Sequence, residues 1–160
     1  MNNITEKKHR LPLLNYRGEV RASFTICIKK HFPVFTNTAI VDLFVDTLGS
    51  ARKKYFCVNW AYVFMPDHVH IVLEGSGERS DLWKTTVLFK QKTGYWFSKN
   101  MPQVQWQSNF YDRIHKTEDE LLNHILYIVN NPVEKNIVSH WREYPFKGSL
   151  DNNLDAIVLN

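Results

Sequence analysis

The chain has 160 residues, 44% hydrophobic and 14% aromatic, with a formal net charge of +4, which suits one well-packed domain and is too short for two. This composition excludes a disordered chain, and no apolar run reaches the length of a membrane span. The start is polar and charged up to Arg10, so the expectation is a soluble, intracellular protein without a signal peptide.

Charge is unevenly spread. The first 54 residues carry ten Lys and Arg against four acids, which predicts a basic face suited to a polyanion such as nucleic acid, or simply a soluble basic surface. Cys27 and Cys57 stand in apolar, strand-like contexts without a paired C-x-x-C and are expected to be reduced core thiols.

In chain order, Val20 to Lys29 is β-branched and partly alternating, with Phe24, Ile26 and Ile28 on one face, and predicts a first strand. From Thr36 or Asn37 to Lys54, Ile40, Leu43, Phe44, Thr47 and Leu48 recur at helical spacing, with Arg52, Lys53 and Lys54 near the C-terminal end where cations suit the helix dipole. Tyr55 to Phe64 and His68 to Leu73 predict the arms of a hairpin joined at Met65-Pro66-Asp67. Ser80 is a candidate cap for a helix from Asp81 to Asn100, which Met101-Pro102 ends, and Gln105 to His115 predicts another strand. The order β-α-β-β-α-β is that of an α+β, ferredoxin-like split βαβ fold. Its helices lie on one face of an antiparallel sheet, the other face is left for a ligand, and a further helix follows near the C-terminus. Residues 1–150 are expected to form a single domain and 151–160 a loosely held C-terminal tail.

On the second arm of the hairpin, His68 and His70 flank Val69. Strand side chains alternate, so both imidazoles point the same way in apolar surroundings, where two histidines need partners. A divalent cation is one partner; the alternative is a pair of sheet histidines bonded to water or backbone.

Thr117-Glu118-Asp119-Glu120 fits a capping box opening a third helix. At ~100° per residue, Leu121, Leu122, Ile125, Leu126, Ile128 and Val129 form its apolar side. Tyr127 does not join them, but centres on a polar face with Glu120, Asn123, His124, Asn130 and Asn131. Asn131 lies one turn beyond Tyr127 and could present its side-chain carbonyl beside it, although Pro132 predicts a bend there.

The same-face histidine pair and the polar-face tyrosine, with the segments Val63 to His70, Trp106 to Asp112 and Tyr127 to Val133, resemble the single-tyrosine HUH transposases of the insertion-sequence superfamily. The REP-associated tyrosine transposases provide the best match, from about residue 16 to 147. The resemblance implies a metal-dependent transposase that cleaves and rejoins hairpin-bearing single-stranded DNA through a 5′-phosphotyrosine intermediate. Tyr127 would be the nucleophile, and His68, His70 and Asn131 the ligands of a divalent metal, Mg or Mn. Relatives often have Gln as the third ligand, or Lys four residues after the tyrosine; here that position is Asn131. The N-terminal segment matches only loosely. By the same resemblance the protein belongs in the bacterial cytoplasm, at the nucleoid. One nucleophilic tyrosine per chain requires either a homodimer or sequential cleavage by a monomer.

A phenol with a pKa near ~10 is a poor nucleophile at neutral pH and needs help. His124 could assist proton removal or be a plain surface histidine. Tyr111 is a rival nucleophile whose apolar, strand-like context favours a structural role. Lys84, Lys90, Lys92 and Arg113 are candidate DNA contacts, each equally readable as a solvated charge. Two other functions fit the fold: a non-catalytic single-stranded nucleic-acid-binding module, whose RNA-recognition signature is missing between residues 50 and 75, and a rolling-circle initiator or relaxase.

Overall fold

A computed structural model describes residues 12–160. The basic residues Lys7, Lys8 and Arg10 of the expected basic face lie outside the described residues. The five strands are β1 (Arg21–Cys27), β2 (Cys57–Met65), β3 (His68–Gly75), β4 (Tyr111–Ile114) and β5 (Lys147–Gly148). They form one antiparallel sheet in the order β4-β1-β3-β2-β5. Its first four members follow the split βαβ arrangement, with helices α1 (Thr38–Lys54) and α2 (Leu82–Asn100) as the two crossovers.

Alternation along the strands builds two cores. Phe24, Ile26, Val69, Ile71 and Leu73 meet Phe44, Leu48, Phe89 and Phe97 of α1 and α2. On the opposite face, Ala61, Val63, Met65 and Val72 meet Leu121, Ile125, Ile128 and Val129 of α3 (Glu118–Glu134). The second face is therefore open only in part: α3 covers the β2–β3 side, because its apolar side needs its own cover. The β1–β4 side keeps polar residues at Ser23, Thr25, Tyr111 and Arg113.

Several boundaries differ from the sequence expectation for local reasons. Asp81, not Ser80, caps α2, accepting a hydrogen bond from Lys84 N, while the Ser80 hydroxyl accepts from Ser76 N and Gly77 N in the preceding loop. The strand predicted from Gln105 shortens to β4, since Trp106 and Phe110 turn into the α1–α2 core. The indole N–H of Trp106 donates to Thr93 Oγ1 at 2.9 Å. Pro132 does not bend Asn131 out of α3. With a proline this close to the end, the helix continues to Glu134, and Lys135 N donates to Asn131 O. Asn136, at φ 56°, then stops it in the left-handed region that Asn tolerates.

The C-terminal residues 151–160 are held against the domain. Asp151 accepts from Asn59 N at 2.7 Å and pairs with Arg52, and Leu154 of α4 (Leu154–Leu159) is buried in the second core. The basic face is partly neutralised: Arg17 pairs with Asp81, Arg21 with Glu74 and Arg52 with Asp151. Both cysteines are free thiols, Cys57 buried and Cys27 partly so. No helix of the described residues is long and apolar enough to cross a membrane.

Candidate active site

β3 brings His68 and His70 to the face that α3 half covers, and their Nε2 atoms lie 3.1 Å apart. Each ring is held from behind. His68 Nδ1 lies 2.7 Å from Asp67 Oδ1, so Nδ1–H donates to the carboxylate and the Nε2 lone pair faces inward. His70 Nδ1 lies 3.0 Å from Thr25 Oγ1 on the neighbouring strand. The other oxygen of Asp67 is 3.0 Å from His31 Nδ1. His31 and Lys30 have φ of 55° and 61°, left-handed backbone that costs non-glycine residues roughly 1–2 kcal/mol each.

His70 is buried. Burial first, then the His68 and His124 rings, push its pKa down to about 3, so it is a neutral imidazole at physiological pH. At Asp67 burial favours the neutral acid, but hydrogen bonds and charge from His68 and His31 outweigh it and hold the carboxyl below its usual range.

From α3, Asn131 is buried and brings its side-chain amide within 3.1 Å of His70 Nε2. As placed, Nδ2 donates to the ring; a half-turn of the same amide puts Oδ1 there. Tyr127 stands four residues before, one turn or ~6 Å along the helix, on the same side, and is 57% exposed. Its ring lies 5.9 Å from that of His124, which stacks 4.9 Å from His115. Burial first, then His115 and Arg113, push the pKa of His124 down to about 4. His115 is buried against Ser23 Oγ at 3.0 Å, and among the described residues its Nδ1 has no hydrogen-bond partner. Arg113, Glu120, Asn123, His124 and Tyr127 line one hollow.

These residues suit a divalent cation. When the Nδ1–H groups of both rings point outward, two Nε2 lone pairs face one point. That arrangement repels between neutral rings and matches a positive ion. Among the described residues no three His, Cys, Asp or Glu side chains cluster as a metal site. The available set is two imidazoles and an amide oxygen, an open, weakly charged set that fits Mg²⁺ or Mn²⁺ better than a closed structural zinc site.

A family model described as Transposase IS200 like matches residues 18–131. The chain belongs to this family. The match takes in His68, His70 and Tyr127 and ends on Asn131. A relative from Haemophilus influenzae, named as a REP-associated tyrosine transposase, is 24% identical over 152 residues, covering 82% of this chain and 83% of its own. The fold is shared with a REP-associated tyrosine transposase solved bound to a REP hairpin, at a TM-score of 0.74, 17% identity, and coverage of 88% of this chain and 81% of that one. A transposase structure from Deinococcus radiodurans matches at a TM-score of 0.52 and 17% identity, over 70% of this chain and 90% of its own.

Within this IS200-like fold the predicted residues divide. His68, His70 and Asn131 converge, Tyr127 and His124 lie a turn or two up the same helix, and Arg113 reaches their hollow from β4. Lys84, Lys90 and Lys92 are on α2, behind the sheet. Lys90 donates to Ser108 O at 2.7 Å, Lys84 lies over the Tyr55 ring, and Lys92 borders a groove between α1 and α2. Tyr111 is 59% exposed at the edge of the site face, not packed in a core. Sequence reasoning missed the supporting residues Thr25, His31, Asp67 and His115. Only Asp67, directly before His68, carried a local signal; Thr25 and His115 are brought in by the pairing of β1 with its neighbours, and His31 by the left-handed turn after β1.

Proposed function

We propose that this chain is a metal-dependent, single-tyrosine DNA transposase that nicks and rejoins hairpin-bearing single-stranded DNA. The observation that carries this reading is the convergence of His68 Nε2, His70 Nε2 and the Asn131 amide, with Tyr127 one turn away on the same helix. Family membership supports the reaction class, and the structural relative bound to a REP hairpin supports the substrate class.

His68, His70 and the Asn131 carbonyl would hold the cation, Mg²⁺ or Mn²⁺. When bound, it supplies charge neutralisation at the scissile phosphate. The Tyr127 oxygen attacks phosphorus, the P–O3′ bond breaks, and the phosphate remains joined to the tyrosine and to O5′ of the strand on the 3′ side of the cut. The departing oxygen takes a proton and becomes a 3′-OH. His124, neutral at physiological pH, accepts the phenol proton. Attack by a 3′-OH on the phosphotyrosine reverses these steps and reseals a strand, so the bond energy is conserved. Asp67 and Thr25 keep both imidazoles aimed during the cycle.

The test is incubation with a labelled single-stranded hairpin oligonucleotide and Mg²⁺ or Mn²⁺, followed by a denaturing gel. A protein–DNA adduct is expected that Tyr127→Phe abolishes and His68→Ala or His70→Ala lowers at least 100-fold, in line with the loss of a catalytic metal site. Tight DNA binding without an adduct would contradict the enzyme and favour a binding module.

A further inference from the structure

The two imidazoles of the site are held unequally. His70 is buried within the sheet, against Thr25 of the adjacent strand. His68 is the first residue of β3, beside the hairpin turn, and is backed by Asp67. A carboxylate turns readily about its last torsion, so one hydrogen bond to His68 does not fix its plane. The second oxygen of Asp67 supplies the missing constraint, 3.0 Å from His31 Nδ1.

His31 holds that position on strained backbone. It stands at φ 55°, directly after Lys30 at φ 61°, where glycine or asparagine is the usual occupant. Packing does not explain the choice of histidine, because its side chain is 73% exposed. Nor does the turn need the ring for its shape. On one side Ile28 N donates to Asp67 O and Lys29 N to Gln105 O, both at 2.8 Å; on the other, Val34 N and Phe35 N donate to Pro66 O at 2.7 and 3.0 Å. These bonds clamp residues 28–35 around the hairpin tip from both ends, so the backbone at His31 is set by its neighbours. What the histidine side chain adds is the hydrogen bond to Asp67.

We propose that His31 is a positioning residue for the metal site, fixing the plane of the Asp67 carboxylate and, through it, the aim of the His68 ring. The relay runs from His31 Nδ1–H to Asp67 Oδ2, and from His68 Nδ1–H to Asp67 Oδ1, leaving His68 Nε2 directed at the point it shares with His70 Nε2. Strain at residue 31 is then tied to the site and not to folding. This deepens the proposed function and rests on it for the cation, so ring geometry and metal binding are read separately.

Two substitutions in the full chain separate folding from positioning. His31→Gly relieves the backbone and removes the ring, whereas His31→Asn suits the same φ and keeps a side-chain N–H donor. Urea unfolding of the metal-free protein should place both midpoints at or above that of the parent. Ring-nitrogen NMR without metal should find His68 as the Nδ1–H tautomer in the parent and in His31→Asn, and as a mixture in His31→Gly. Titration with Mn²⁺, followed by its EPR signal, should show affinity about tenfold weaker in His31→Gly, the low end for outer partners of a metal ligand, and within about twofold of the parent in His31→Asn. A His31→Gly chain that keeps the parent's Mn²⁺ affinity and single tautomer overturns the positioning role and leaves the metal site standing. The role is equally overturned if His31→Asn is as impaired as His31→Gly, or if His31→Gly unfolds at lower urea than the parent. Should the parent bind no Mn²⁺ while the His68 tautomer still follows residue 31, the role stands and the cation is removed from the proposed function.

Discussion

At the scale of single residues, His70 combines two requirements that normally conflict. It is buried, which favours the neutral ring, yet its Nε2 faces two other potential donors. The protein resolves this by keeping the ring unprotonated, with a pKa near 3 against 6.5 for a free histidine. A depressed histidine lets the unfolded chain bind a proton that the folded chain refuses. Its contribution to stability is thus complete above pH 6.5 and declines as pH falls toward 3. His70 alone should cost about 2 kcal/mol of folding stability between pH 7 and pH 5 in metal-free buffer. His124, depressed to about 4, acts in the same direction. Urea unfolding at the two pH values checks this, with His70→Gln expected to roughly halve the difference. An unchanged midpoint in the parent would show that His70 is protonated in the fold.

At the scale of elements, the hairpin and α3 each supply half of the site, and each depends on close backbone fits. Gly75 ends β3 where a Cβ would stand 1.7 Å from Gly18 O. Gly18, at φ 81°, lets the chain turn there before β1, and Gly75 N donates to Val20 O. Gly75→Ala should destabilise the protein by about 1–3 kcal/mol, the range for overpacking, seen as a lower urea midpoint with an unchanged slope. A variant as stable as the parent would show that the β1–β3 end tolerates a shift.

Much of this level was legible in the sequence, because periodicity and caps are local. Thr117 caps α3 as its capping box implies, accepting from Glu120 N, although the Glu120 carboxylate reaches Lys116 N and not the cap residue's own N–H. The polar stripe of Tyr127 and Asn131 was also legible, being a matter of helical angle. What was not legible arises from register and from competition for burial. Tyr111 reads as apolar strand sequence, yet falls on the exposed face of an edge strand; Thr25 and His115 become neighbours of the site only when β1 joins β3 and β4. Lys84, Lys90 and Lys92 read as DNA contacts by charge alone, and topology puts them behind the sheet.

For the whole molecule, one sheet separates two functions. The face under α1 and α2 holds most of the aromatic core, which stabilises the fold, while the other face is shared between a smaller core under α3 and the polar row from Tyr111 to His70. A rigid platform beneath the histidine pair suits chemistry that requires a phosphate to be held in line with a nucleophile from a different element. The central claim is that this nucleophile is Tyr127. The most direct measurement is mass spectrometry of the covalent protein–DNA product after nuclease and protease digestion. A nucleotide mass is expected on the peptide containing Tyr127, linked through a 5′-phosphate; the same mass on a peptide containing Tyr111, or a linkage through a 3′-phosphate, would contradict that role.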